Sequence, residues 1–160
     1  MYYCYVDTPI GELLLAGTEN ALSLIGFPKG SMRRDPRPDW IFKEEPFEKV
    51  RHQLREYFEG KRRDFDIPLS LEGTDFQLSV WHELRGIPYG TTVSYGEVAK
   101  RIDNPKAVRA VGAANGRNPI PIIVPCHRVI GSHGDLTGFG GGLDTKEALL
   151  RLEAEHTSLL

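Results

Sequence analysis

Long hydrophobic runs are missing from these 160 residues; the most extended are Leu13 to Ala16 and Ile120 to Pro125, far short of a membrane span. The opening Met-Tyr-Tyr-Cys-Tyr-Val has no basic stretch followed by an apolar one, so no secretory leader is expected. Cysteine is scarce. Cys4 and Cys126 cannot build a disulfide framework and neither has a C-x-x-C partner, which points to a reducing compartment and leaves each thiol to be judged as core filler or reagent. Net charge is also small, at −2, so nothing global demands a polyanionic partner. With 40% hydrophobic and 26% charged residues, what remains is an ordinary packed chain of one or two small domains.

Residues 1 to 70 read as a small α+β unit. Apolar runs at Tyr2–Val6, Glu12–Ala16 and Leu22–Phe27, separated by Thr8-Pro9-Ile10-Gly11 and Gly17-Thr18-Glu19-Asn20, predict an antiparallel meander. Lys29 to Trp40 reads as a loop. Pro46 suits a first helical position, and Phe47, Val50, Leu54 and Tyr57 then recur at helical spacing until Gly60. The polar stretch from Lys61 to Glu72 is the expected boundary, and 71–160 reads as mostly helical. Thr74-Asp75-Phe76-Gln77 is a capping box for a helix with Phe76, Val80 and Leu84 on one face. Ser94-Tyr95-Gly96-Glu97 opens another, with Tyr95, Val98, Ala99 and Ile102 aligned. Asp103-Asn104-Pro105 breaks it, and a third helix places Ala107, Ala110, Val111 and Ala114 together; the pair reads as a helix-turn-helix. A last helix starts at Asp144-Thr145-Lys146-Glu147.

Charge is distributed unevenly. Between Lys100 and Arg128 stand six basic residues (Lys100, Arg101, Lys106, Arg109, Arg117, Arg128) and one acid, Asp103. By itself such a run reads as a solvated face. The third helix adds a second signal. Arg109 stands roughly 150° from the apolar side of that helix, beside Gly112, Ala113 and Gly116. Two glycines weaken a helix by about 1 kcal/mol each, so close backbone approach to some surface must offset them. That surface is either DNA or another part of the same protein.

Cys126 sits in Val124-Pro125-Cys126-His127-Arg128-Val129. A neighbouring histidine and arginine are expected to lower a thiol's pKa. Adjacent side chains diverge, so His127 would act on Cys126 through a water, and a carboxylate from the late helix (Glu147, Glu153 or Glu155) would orient it. No usable zinc spacing exists, and no metal or other cofactor is expected. Gly-Phe-Gly-Gly-Gly at 138–142 lacks the Walker lysine pattern and suits a chain passing close to a planar ligand.

Pro125-Cys126-His127-Arg128-Val129, with Asn118-Pro119 upstream and Gly141-Gly142-Leu143 downstream, resembles the signature of the O6-alkylguanine-DNA alkyltransferases, the methylated-DNA–protein-cysteine methyltransferases. The likeness runs from Gly73 to Glu153, including Val93-Ser94-Tyr95-Gly96 and Asn104-Pro105-Lys106-Ala107-Val108-Arg109, and more loosely through Thr8-Pro9-Ile10-Gly11. It implies a DNA-repair enzyme that moves an alkyl group from O6 of guanine, and from O4 of thymine, to its own cysteine once and irreversibly. The resemblance places the reactive cysteine on Cys126, the histidine base on His127, its orienting glutamate on Glu153, the bracing asparagine on Asn118, the proton-donating tyrosine on Tyr95 and the arginine finger on Arg109. Val129, Phe139, Gly140, Gly141 and Pro121 would line the guanine pocket. Tyr95, Ala107, Gly112, Ala113, Gly116, Arg117 and Arg128 would join Arg109 on double-stranded DNA, in the minor groove with the damaged base flipped out. A monomer is implied, cytoplasmic or with the nuclear or nucleoid DNA. Phe139 stands where many members carry tyrosine and Gly140 where serine or alanine is common, which bears on loop stiffness and pocket size. A damage-binding relative without the cysteine, a sequence-reading helix-turn-helix factor and a cysteine hydrolase are the rivals. Cys126 argues against the first, and the absence of base-reading side chains on the third helix against the second. Alkyl transfer from DNA rather than turnover of an ester or amide would exclude the third.

Overall fold

The computed structural model describes residues 1–136 and 139–157. Its first part is a four-stranded sheet, β1 (Tyr2–Thr8), β2 (Gly11–Gly17), β3 (Leu22–Gly26) and β4 (Ile41–Phe42), in the order β3-β2-β1-β4. The three expected strands form the antiparallel meander, with Cys4 opposite Leu15 and Val6 opposite Leu13. Alternation along β1 sends Cys4 and Val6 inward. Leu13 to Ala16 are all buried, which is why β2 reads as a continuous apolar run at the centre of the sheet. β4 lies within the stretch's polar surroundings and pairs in parallel with β1, so the sheet is mixed rather than purely antiparallel. Its two residues carry no alternation from which a strand is legible.

Against the sheet packs α1 (Glu48–Phe58), entered through a short 3-10 turn, Glu45–Phe47, that holds Pro46. Phe47, Val50, Leu54 and Tyr57 are buried, as their spacing requires. The second part contains α2 (Asp75–Arg85), β5 (Val93–Ser94), α3 (Tyr95–Arg101), α4 (Val108–Gly116), β6 (Val129–Ile130) and α5 (Leu143–Thr157). Thr74 and Gln77 form both halves of the capping box on α2, and Ser94 accepts from the Glu97 amide to start α3. The turn between α3 and α4 runs through Asp103 at φ 57°, a conformation that a short polar side chain tolerates. Trp81 Nε1 donates to Ala114 O at 2.8 Å and fixes α2 against α4.

One expectation for α4 is corrected. Val111, Ala114 and Asn115 are buried, but Ala110 is exposed and Ala107 only half-buried. The inward stripe is rotated toward Asn115, because that side chain is drawn in to donate to Cys126 O at 3.3 Å. The two parts share a continuous core from Cys4 to Leu149. At its seam, Ile25 N of β3 donates to Pro119 O at 2.9 Å, so a sheet edge abuts the turn that leads to Cys126.

Candidate active site and nucleic-acid interface

Cys126 begins a 3-10 turn, Cys126–Arg128, that runs straight into β6. β6 pairs in parallel with β5, Val93 against Val129, and this brings Tyr95 at the head of α3 beside the turn. The approach to Cys126 is braced from within. Asn118 donates through Nδ2 to Val124 O at 2.7 Å and accepts through Oδ1 from Ile120 N at 3.0 Å. Between those anchors Ile122 is held at φ 76°, a strained conformation for a β-branched residue that the surrounding bonds must sustain. Pro121 is buried in the same turn, which closes through a Pro121–Val124 bridge.

Behind the turn lies a buried carboxylate. Glu153 Oε2 meets His127 Nε2 at 2.6 Å and accepts from Tyr57 Oη at 2.6 Å; Oε1 accepts from Gly90 N at 3.1 Å. Arg128 adds Nε to Oε1 at 2.8 Å and Nη2 to Oε2 at 3.0 Å, and its Nη1 donates to Ile87 O at 2.7 Å. Burial alone would raise the Glu153 carboxyl; the hydrogen bonds of His127 and Arg128 and the charge of Arg128 outweigh it and hold the group well below the usual carboxylate range. Burial also lowers the His127 imidazole, against the pull of Glu153. A carboxylate only accepts, so Nε2 carries the ring proton of a neutral His127 and Nδ1 keeps its lone pair. Nδ1 is buried with no hydrogen-bond partner among the described residues. Of the three glutamates open from the sequence, Glu153 is the one that meets His127.

Two expectations are corrected here. Arg128 does not face outward toward DNA: it is 5% exposed, with its guanidinium committed to Glu153 and a backbone carbonyl. The Cys126 thiol is also not lowered. It is fully buried, and burial pushes it up to about 11, opposed only in part by Asn118, Lys146 and the Cys126 and His127 amides. The physical reasons differ: Arg128 is drawn inward by the Glu153 carboxylate, and the thiol is raised because it is shut away from water.

Lys146 was not singled out by the sequence, yet it is fully buried, with Nζ donating to Val129 O at 2.6 Å. Its ammonium lies 5.9 Å from the Tyr95 ring centroid and 6.0 Å from that of Phe139. The signal was present: Lys146, Leu149 and Glu153 recur at i, i+3 and i+7, the spacing of one inward face of α5. Tyr57 is legible from the sequence only as a core residue of α1, and Asn115 carries no signal of its own. Tyr95, Val129 and Phe139 thus meet α5 at Lys146, and His127 meets it two turns later at Glu153; Cys126 lies beside His127, Asn118 and Pro121 in the turn that leads to it, and Gly140 and Gly141 follow Phe139. Gly138 lies outside the described residues.

On the outer side of α4, Arg109, Ala113, Gly116 and Arg117 are exposed, and Gly112 and Ala107 are half-buried. A Cβ at Gly116 would meet nothing within 4 Å, and one at Gly112 would only touch the Tyr95 ring at 3.9 Å. Packing inside the protein therefore does not demand these glycines. The described residues contain no cluster of three or more metal-ligating side chains, and no helix among them is long and apolar enough to cross a membrane.

Comparison with known proteins adds an independent line. Residues 75–155 match the family described as 6-O-methylguanine DNA methyltransferase, DNA binding domain, and residues 1–71 match 6-O-methylguanine DNA methyltransferase, ribonuclease-like domain. A methylated-DNA–protein-cysteine methyltransferase of Methanosarcina acetivorans is 55% identical over 96% of this chain and 98% of its own. Its namesake from Mycolicibacterium paratuberculosis is 50% identical over 97% and 93%. The crystal structure of Mycobacterium tuberculosis OGT in complex with DNA superposes with a TM-score of 0.92 at 49% identity, covering 98% of this chain and 94% of that one.

Proposed function

The chain belongs to the 6-O-methylguanine DNA methyltransferase family, and from that premise we propose that it repairs DNA by taking the alkyl group from O6 of guanine, or O4 of thymine, onto Sγ of Cys126. The sulfur attacks the alkyl carbon, the carbon–oxygen bond breaks, and the electron pair stays on the base. Tyr95 donates its phenolic proton to the departing base and regains one from solvent as the base is released. The thiol proton passes through a water to Nδ1 of His127, and Glu153 steadies the imidazolium that forms. Asn118 and the strained Ile122 turn hold the sulfur in place. Val129, Phe139, Gly140, Gly141 and Pro121 shape the guanine pocket.

The observation that carries this reading is the buried Glu153–His127 hydrogen bond one residue from a buried thiol. It leaves a basic lone pair where the proton must go. A thiol near 11 is mostly protonated at neutral pH, so the resting protein is guarded against other electrophiles and ionises only as the proton is withdrawn.

Double-stranded DNA is the partner. The open glycines of α4 support approach of a phosphodiester backbone along Ala107, Gly112, Ala113 and Gly116, with Arg117 on phosphate and Arg109 filling the stack that the flipped base leaves. Arg128 has no part in that surface; it belongs to the Glu153 ion pair. The units 1–70 and 71–160 act as a monomer, cytoplasmic or with the nuclear or nucleoid DNA. Mixing the protein with excess O6-methylguanine duplex tests the reading: intact mass should rise by a single methyl, located on Cys126, and reaction should stop at one equivalent. A thioether has no leaving group that a neighbouring base can expel, so repeated turnover would sink the proposal.

A further inference from the structure

The loop that carries Phe139, Gly140 and Gly141 does not stand by itself. Facing it is a tight loop from the other half of the chain, closed by Phe27 N to Met32 O at 3.0 Å and Arg33 N to Gly30 O at 3.1 Å. From that loop Met32 N donates to Gly140 O at 2.8 Å, and the Phe27 ring meets the Phe139 ring at 5.6 Å. The Phe139 ring therefore has both the Phe27 ring and, at 6.0 Å from its centroid, the Lys146 ammonium as neighbours. Phe27 and Met32 are both buried, at 1% and 2% exposure, so the contact is a packed seam.

The glycines of the seam show how close it is. A Cβ on Gly140 would lie 2.2 Å from Met32 Cγ, and one on Gly141 2.7 Å from Phe27 Cδ2. Gly30, at φ +78°, approaches Gly140 O so nearly that its own Cβ would sit 2.1 Å from that oxygen. Side-chain volume is thus absent at 140 and 141, where Met32 and Phe27 fill the space instead. The departure from serine or alanine at 140 goes with this arrangement. Methionine is unbranched and adaptable, so the wall it makes can yield without collapsing.

We propose that Met32 is a specificity-determining positioning residue: its backbone N–H and side chain set how far the Phe139–Gly141 loop stands from Tyr95 and Lys146, and so the size of O6-alkyl group the site accepts. The inference rests on the alkyltransferase reading and assigns it a steric limit. Met32 touches no substrate. It acts through Gly140 and Phe139.

The test compares two duplexes of one sequence, carrying O6-methylguanine or O6-benzylguanine, in single-turnover reactions with melting curves recorded alongside. Transfer of methyl by the parent chain is the control for function; its absence retires the function reading and is distinguishable from any result below. Met32→Ala should shift the benzyl-to-methyl rate ratio by about tenfold toward benzyl, the range that a small change of pocket volume commands. Met32→Leu, which keeps the volume, should keep the parent ratio. Gly140→Ala should slow both substrates, and Met32→Ala/Gly140→Ala should recover part of that loss, because the colliding Cγ and Sδ are gone. If Met32→Ala loses its melting transition, Met32→Val supplies the same comparison. An unchanged ratio in the truncated variant, or a double variant whose loss is the plain product of the two single ones, overturns the proposal.

Discussion

Two free thiols sit in this protein under nearly the same degree of burial and in very different company. Cys4, in β1, faces the apolar core of the sheet; burial raises it to about 11, and the opposed charges of Arg51 and Glu44 act on it with opposite sign. Cys126 is raised to the same value, but it sits one residue from a neutral imidazole with an unpartnered Nδ1. The contrast extends to the regions around them. Among the described residues of the first half, Gln53 is the buried polar side chain, whereas Asn115, Asn118, His127, Arg128, Thr145, Lys146 and Glu153 are all buried in the second. Buried polar groups lower stability unless each finds a partner, so a region that collects them is one that folding tolerates for another reason. Burial makes both thiols quiet. Only the second has an imidazole beside it, to which the proposed mechanism sends its proton.

The comparison breaks most sharply by truncation. Cys126→Ala should abolish alkyl transfer altogether, with DNA binding kept. Cys4→Ala should transfer one methyl at the parent rate and lose only about 1 kcal/mol of stability. Intact mass after reaction and urea unfolding of the two variants check this. A slow Cys4→Ala protein with normal stability would mean that the sheet contributes to the chemistry and the contrast is false.

What was legible in the sequence follows the same division. Strands β1 to β3, α1 and the caps of α2 and α3 were readable because alternation, helical spacing and capping residues are local signals. Cys126 was readable from its neighbours and from the family motif. Arg128 was not, since whether an arginine beside a reactive cysteine faces DNA or a buried glutamate depends on Glu153, 25 residues later. The thiol's raised pKa is not legible locally either, because it comes from complete burial, which depends on the packing of distant segments around Cys126. β4 and the Met32–Gly140 contact arise from chain segments brought together only by packing.

Charge removal sharpens the contrast next. Glu153→Gln leaves the Arg128 guanidinium buried without its counter-ion, and breaking one side of such a pair costs about 3–5 kcal/mol. In the proposed mechanism it also removes the anion beside the His127 imidazolium, so transfer should slow. Glu44→Gln breaks the Glu44–Arg51 pair of the first region, where the carboxylate is 53% exposed, and should cost less than about 1 kcal/mol. Chemical denaturation of the two variants gives the comparison directly. Similar losses would mean that the buried ion pair is not what holds the second region together.

The smallest effect distinguishes equilibrium from reactivity. Burial pushes each thiol up to about 11, above the ordinary thiol value it has in the unfolded chain, so the unfolded chain releases these protons first as pH rises. The stability they contribute is complete below pH 9 and is lost progressively from there toward pH 11. By pH 10 the loss is about 1 kcal/mol for each thiol. The quantity to measure is the difference between parent and alanine variant, in which groups that interact with neither thiol cancel. Cys4→Ala and Cys126→Ala should each flatten the decline between pH 9 and 10 by a similar amount. The transfer rate behaves differently: it should climb with pH over the same interval in the parent and in Cys4→Ala alike, because only the proton on Cys126 stands between the sulfur and the alkyl carbon. Equal linkage with unequal reactivity is the outcome that the two environments require; a Cys4→Ala variant that altered the pH profile of transfer would show that the thiols are coupled through the shared core.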